Sequence, residues 1–203
     1  KQITAKDGFS IATANKIFED SNGLIYAAMR HPYNGYGGLY TINGDGKVTD
    51  FLEKNNIQQQ GIETVAEDSE GNIIFSGWMG LYVYDGKSVT QYKYGDGIAS
   101  GQILDILVDK NNIWLATTDG LVHFTGSEFI NHDIKSFNSF IHKVFKSPNG
   151  ELYISPQTSG DRFGLHKYDG LQFEPVQATR FNGGILDVDR KSTRLNSSHQ
   201  IIS

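Results

Sequence analysis

With 203 residues, the chain is long enough for one sizeable core or for several small repeating units. Aromatic residues at 12%, 23 glycines and only 4 prolines suit many short strands joined by glycine turns, and a formal charge of −5 argues against nucleic acid or an anionic membrane as a partner. The absence of cysteine excludes disulfides and thiolate metal sites, and the longest apolar runs, such as Ile103 to Val108, are far too short to cross a bilayer.

The first residue is Lys1 rather than Met, so the lack of a visible signal peptide carries no information about the parent's N-terminus. From Ala14 onward the chain repeats itself. An apolar i, i+3 pair, Ala14/Ile17, opens the first unit, followed by the polar turn Asp20-Ser21-Asn22-Gly23, an extended segment containing Tyr26, the pair Gly38-Leu39 and a second glycine at Gly44. The second unit has Ile62/Val65, the turn Asp68 to Gly71, Ile74, Gly80-Leu81 and Gly86 in the same order. The third has Ile103/Ile106, Asp109 to Asn111, Trp114, Gly120-Leu121 and Gly126, and the fourth has Ile141/Val144, Ser147 to Gly150, Tyr153, Gly164-Leu165 and Gly170. A fifth opener appears at Ile185/Val188.

Each unit reads as four short strands in a period of about 40 to 45 residues, the pattern of one propeller blade. The spacing predicts an all-β chain: a β-propeller fragment of units at 14–51, 62–92, 103–132 and 141–176, with a fifth starting at 185 and further blades expected beyond both ends. Gly23, Gly71, Gly38, Gly80, Gly120 and Gly164 are structural turn positions, and Asp20 and Asp68 are expected to bond the amides of their own turns.

The stretch Asp189 to Ser203 lacks both the apolar periodicity and the turn pattern. Its first eleven residues, DRKSTRLNSSH, match the translation of a widely used short-read sequencing adapter, so it is set aside as a non-native tail. Without its three basic residues and one acidic residue the formal charge moves from −5 to −7.

Catalytic patterns do not assemble. Gly44-x-Gly46 starts a dinucleotide fingerprint, but Thr49 stands where the third glycine belongs and no helix is expected there. The histidines His31, His123, His132, His142 and His166 have no metal-binding spacing, the DxxG turns lack the alternating ligands and distal Glu of a calcium loop, and the pairs Glu19/Asp20 and Glu67/Asp68 recur with the repeat on tight turns. No catalytic residue, metal ligand or cofactor is therefore assigned. Loop length is more informative: the second-to-third connection is short at Gly77 to Met79 and expands at Met29 to Tyr36 and Pro156 to Phe163. Those connections lie at one end of an antiparallel unit and bring Arg30, His31, Tyr33, Tyr36, Trp78, Arg162 and Phe163 forward as a ligand-binding set able to stack on sugar rings and bond hydroxyls or carboxylates.

The assembled unit, with opener, acidic turn ending in Gly, aromatic strand, Gly-Leu, aromatic and Asp-Gly, resembles the two-component regulator propeller repeat. Gly61 to Gly86 and Asp96 to Gly126 carry the resemblance best, it extends over residues 7 to 188, and it is weakest at Phe140 to Gly170, where Ser147 replaces the turn Asp. The resemblance implies a non-catalytic periplasmic sensor region of a hybrid histidine kinase, binding a small ligand such as an oligosaccharide. Its partners would be further blades and signalling domains of the same parent chain, with a homodimer allowed and neither nucleic acid nor membrane touching this segment. A propeller-fold carbohydrate hydrolase or lyase, or an assembly scaffold, is the alternative. A non-repeated acidic pair or a His/Tyr/Arg cluster converging on the central axis would favour the enzyme.

Overall fold

The computed structural model describes residues 13–31, 36–98, 102–132, 140–157, 165–170, 172–176, 185–188 and 195–197. The chain forms two compact units, Lys1–Asp96 and Gly97–Ser203. Each contains two four-stranded antiparallel sheets in which every strand pairs with its chain neighbours.

In the first unit, β1 (Thr13–Glu19), β2 (Ile25–Arg30), β3 (Gly37–Ile42) and β4 (Val48–Asp50) form one sheet, and β5 (Ile62–Glu67), β6 (Ile73–Gly77), β7 (Gly80–Tyr84) and β8 (Val89–Tyr92) form the other. The β1–β2 turn closes as its residue types predict: Asp20 Oδ1 accepts from the Asn22 and Leu24 amides at 2.9 and 2.8 Å, and Gly23 supplies a φ of 79°. Asp68 repeats the device, accepting from Glu70 and Asn72 at 2.9 Å each ahead of Gly71.

The core of this unit lies between its two sheets. Ile62, Val65, Ile73, Phe75 and Tyr82 of the second pack with Tyr26, Ala28 and Leu39 of the first. A feature the strand pattern did not predict closes one side. The four-residue helix α1 (Phe51–Lys54) follows β4, capped by Asp50, whose side chain accepts from the Glu53 amide at 3.0 Å. It drives Phe51 and Leu52 into the core, where Phe51 meets Tyr26, Phe75 and Tyr84 edge to face at 5.1 to 5.8 Å. The apolar pair at the end of the first unit thus continues into the core on a helical turn.

In the second unit, β9 (Ile103–Asp109), β10 (Asn112–Thr117), β11 (Gly120–Phe124) and β12 (Phe129–His132) precede β13 (Phe140–Lys146), β14 (Leu152–Gln157), β15 (His166–Tyr168) and β16 (Phe173–Pro175). Leu107, Ala116 and Leu121 of the first sheet receive Ile141, Val144, Leu152 and Ile154 of the second. The fifth opener is the strand β17 (Ile185–Val188). It pairs antiparallel with β18 (Leu195–Ser197), which lies inside the stretch set aside above.

The repeated opener has one packing role. Val65 and Val144 occupy the same register position and are 1% and 3% exposed, each seated on the preceding sheet of its unit. Ile17 holds that position in the first sheet and is 68% exposed. Within each unit the end of the second opener also clips to the first turn of the preceding sheet: Glu67 of β5 accepts from the Ser21 amide and hydroxyl at 2.7 Å each, and Lys146 of β13 pairs with Asp109.

Candidate functional site

The openers of all four blades, and the fifth opener β17, carry a β-bulge at the same place, one residue after the first apolar position. The extra residue is Asn15 in β1, Glu63 in β5, Leu104 in β9 and His142 in β13. A bulge re-aims the side chain it carries and ends regular pairing. The bulges sit beside the ends of the second strands, at the same end of each sheet as the second-to-third loops.

In the first unit this end carries a bonded cluster. Glu63 takes Asn15 Nδ2 at 3.0 Å on one carboxylate oxygen and forms an ion pair with Arg30 through the other. Its side chain is 10% exposed against 30% for Arg30, so the carboxylate is the more deeply held partner. Arg30 ends β2, and from there His31 donates its amide to the Tyr36 carbonyl, closing the loop base and leaving the Tyr36 ring 69% exposed.

The neighbouring loop is shorter and pinned at several points. Buried Gln60 donates Nε2 to the Tyr82 hydroxyl at 2.8 Å, while its Oε1 accepts from the Met79 amide at 3.1 Å. Gln91 donates to the Met79 carbonyl at 3.1 Å and to the Tyr82 hydroxyl at 3.0 Å, and the Tyr94 hydroxyl donates to the Gly77 carbonyl. Burial pushes the Tyr82 phenol up, against the opposing effect of the two glutamine donors. Glycine brackets this loop for steric reasons: a Cβ on Gly77 would come within 2.3 Å of Gln60 Oε1, and one on Gly80, at φ +123°, within 2.0 Å of the Tyr92 carbonyl oxygen. The pinned backbone leaves Trp78 48% exposed at the tip.

No protein-family model matches the chain, and no curated protein matches it in sequence. Solved structures match it in fold. The extracellular domain of a hybrid two-component system from B. thetaiotaomicron superposes with a TM-score of 0.64 at 18% identity, over 85% of this chain and 23% of its own. The extracellular domain of a one-component system from the same organism gives 0.60 at 19% identity, over 77% and 20%. A catalytically inactive virginiamycin B lyase from Staphylococcus aureus gives 0.62 at 15% identity, over 82% and 56%. The fold is that of a β-propeller. Each four-stranded sheet is a blade, and the chain spans between a fifth and a quarter of the length of the two extracellular domains.

Blades 3 and 4 finish the corresponding end differently. The blade 3 loop is tied by Thr118, whose hydroxyl accepts from the Gln102 amide at 2.9 Å and whose amide donates to the Gln102 carbonyl at 3.0 Å. Buried Asp105, one residue past the bulge, faces Lys143 of blade 4 at 3.4 Å. Gly38 is the second residue of β3 in blade 1, where a Cβ would come within 2.9 Å of the Tyr40 ring, and Gly120, at φ 137°, starts β11 in blade 3. Tyr33, Arg162, Phe163 and Gly164 lie outside the described residues.

Of the residues singled out from sequence, the structure therefore places Arg30, His31, Tyr36 and Trp78 at one end of the first unit. It adds Glu63, Asn15 and Gln60, which loop length could not reveal. Their signal lay in the repeat itself. The position after the first opener residue reads Asn15, Glu63, Leu104 and His142, while the two opener positions themselves stay apolar, with Ala14 the smallest. Among the described residues no group of three or more His, Asp or Glu side chains is arranged to hold a metal ion.

Proposed function

We propose that this chain is part of a ligand-sensing, non-catalytic propeller ectodomain of a two-component signalling protein, on the periplasmic side of a membrane-anchored parent whose histidine kinase lies elsewhere. The observation that carries this reading is Trp78: a half-exposed indole on a loop whose backbone is held by Gln60, Gln91 and Tyr94. Exposing a large aromatic ring on a rigid support forgoes burial energy, and such rings serve as low-entropy contact surfaces for ligands. Tyr36 stands at the same end, and the Asn15–Glu63–Arg30 cluster supplies fixed polar atoms there. Flat apolar rings beside donors and acceptors suit an oligosaccharide, whose faces stack and whose hydroxyls bond. The fold shared with extracellular domains of signalling systems supports the sensor assignment. No helix among the described residues is long and apolar enough to cross a membrane.

The test is calorimetric titration of the chain with a panel of neutral and acidic oligosaccharides. Saturable binding is expected, weakened about tenfold by Trp78→Ala, a loss of roughly 1.4 kcal/mol, with the melting temperature unchanged. Failure of every oligosaccharide to bind would remove the glycan reading, and full affinity in the variant would move the site away from this end.

A further inference from the structure

The second unit holds a cluster that the proposed site does not use. Trp114 of β10 is stacked against His123 of β11 at 4.3 Å, with His132 of β12 at 5.5 Å and Tyr168 of β15 at 6.1 Å. Three of these rings belong to blade 3 and the fourth to blade 4, so the cluster spans the joint between two blades. His123 Nε2 bonds the Asn112 amide oxygen at 2.8 Å. His132 Nδ1 lies 3.3 Å from the Tyr168 hydroxyl, and its buried Nε2 has no hydrogen-bond partner among the described residues.

These contacts fix the tautomer of His132. The Tyr168 hydroxyl donates its single proton to the Gly170 carbonyl at 2.8 Å, so towards His132 it offers only an oxygen lone pair. Nδ1 must then carry the hydrogen and donate, leaving Nε2 as a bare, buried lone pair. A proton arriving at Nε2 from solvent would create an imidazolium whose new N–H has no acceptor among the described residues, which is a costly arrangement away from water.

We propose that the Trp114–His132–Tyr168 contact is an acid-released clasp between blades 3 and 4, closed while His132 is neutral and opened when Nε2 takes up a proton. Among the described residues, the groups facing His132 include no carboxylate that would pair with the charge. They are Trp114 on β10, His123 on β11 and the neutral phenol of Tyr168 on β15, with Asp169 next to that phenol acting to keep it protonated. Burial and the neighbouring His123 both hold the His132 imidazole below its ordinary range, and burial does the same for His123. With the folded pKa depressed, the clasp's contribution to stability is fully present above the ordinary histidine value of 6.5 and is lost as the pH falls from there through the lower folded pKa, where the clasp opens.

Two measurements on the whole chain decide this. Nitrogen-15 NMR of the histidine side chains should show His132 as the Nδ1–H tautomer, titrating below the exposed-histidine range. Thermal melts should show a melting temperature that drops on acidification, with part of that drop lost in His132→Gln, which keeps a donor for Tyr168 but cannot be protonated. An Nε2–H tautomer, an ordinary or raised pKa, or an unchanged acid response in His132→Gln would each overturn the clasp. The NMR arm stands even if the variant fails to fold, and neither arm depends on the ligand proposed for the first unit.

Discussion

Arg30 and Glu63 form an ion pair that joins the end of β2 in blade 1 to the bulge of β5 in blade 2. It puts a cation at the base of a lengthened loop against an acid from the first strand of the next blade. Because Glu63 is the more buried partner, with Asn15 on its other oxygen, removing the guanidinium leaves a largely desolvated carboxylate without that cation. Arg30→Ala should cost about 1 to 3 kcal/mol in denaturant unfolding. The double variant Arg30→Ala/Glu63→Ala should recover part of that loss, and a double variant as unstable as the sum of the singles would mean that the pair is not coupled.

The loop carrying Trp78 is expected to owe its order to Gln60, which bonds both the Met79 amide and the Tyr82 hydroxyl from a buried position. Gln60→Leu keeps the volume and deletes both bonds. It should cost about 1 to 3 kcal/mol and speed amide exchange at Met79. If exchange at Met79 stayed slow, Gln91 and Tyr94 alone would be sufficient pins.

Equivalent positions in the repeat should respond in opposite ways. Ile17 and Val65 share a register position, but the first is 68% exposed and the second 1%. Ile17→Thr should shift stability by no more than about 0.5 kcal/mol, whereas Val65→Ala should cost on the order of 1 to 3 kcal/mol. Comparable losses in both, measured by chemical denaturation, would show that Ile17 is covered in solution.

Acid should also act through His166, which is 3% exposed at the position held by Tyr40, Tyr82 and Val122 in the other blades. Burial lowers its pKa, so the neutral ring is the folded form. The unfolded chain binds more protons once the pH drops below 6.5, and stability falls from there downward. His166→Tyr, which restores the residue of blades 1 and 2, should flatten part of that dependence. A melting profile between pH 7.5 and pH 5 that is unchanged by the substitution would contradict this account.

The blades were legible because their determinants are local and recur: the Asp20 and Asp68 turns, the Gly-Leu starts of the third strands in blades 2 and 3, and the apolar opener pairs appear at the predicted places. Helix α1 was not, since Asp50 as a cap and Phe51-Leu52 as core residues only acquire meaning once Tyr26, Phe75 and Tyr84 converge from two sheets. The site divides in the same way. Loop length pointed to Trp78 and Tyr36, but Glu63 and Gln60 act through partners 33 and 19 residues away, a distance that strand-by-strand reading does not span. His132 likewise reads as an ordinary strand end until Tyr168, 36 residues on, is placed beside it.

The most direct test of the sensing account uses the two indole N–H signals of the chain, one from each tryptophan. Trp78 is exposed on its pinned loop, and Trp114 is partly buried against His123 and His132 in the other unit. On titration with the oligosaccharide panel, the Trp78 indole resonance should shift saturably while that of Trp114 stays fixed. Saturable binding that leaves the Trp78 resonance unmoved, or a panel that shifts neither, would contradict a ligand site at this end of the propeller.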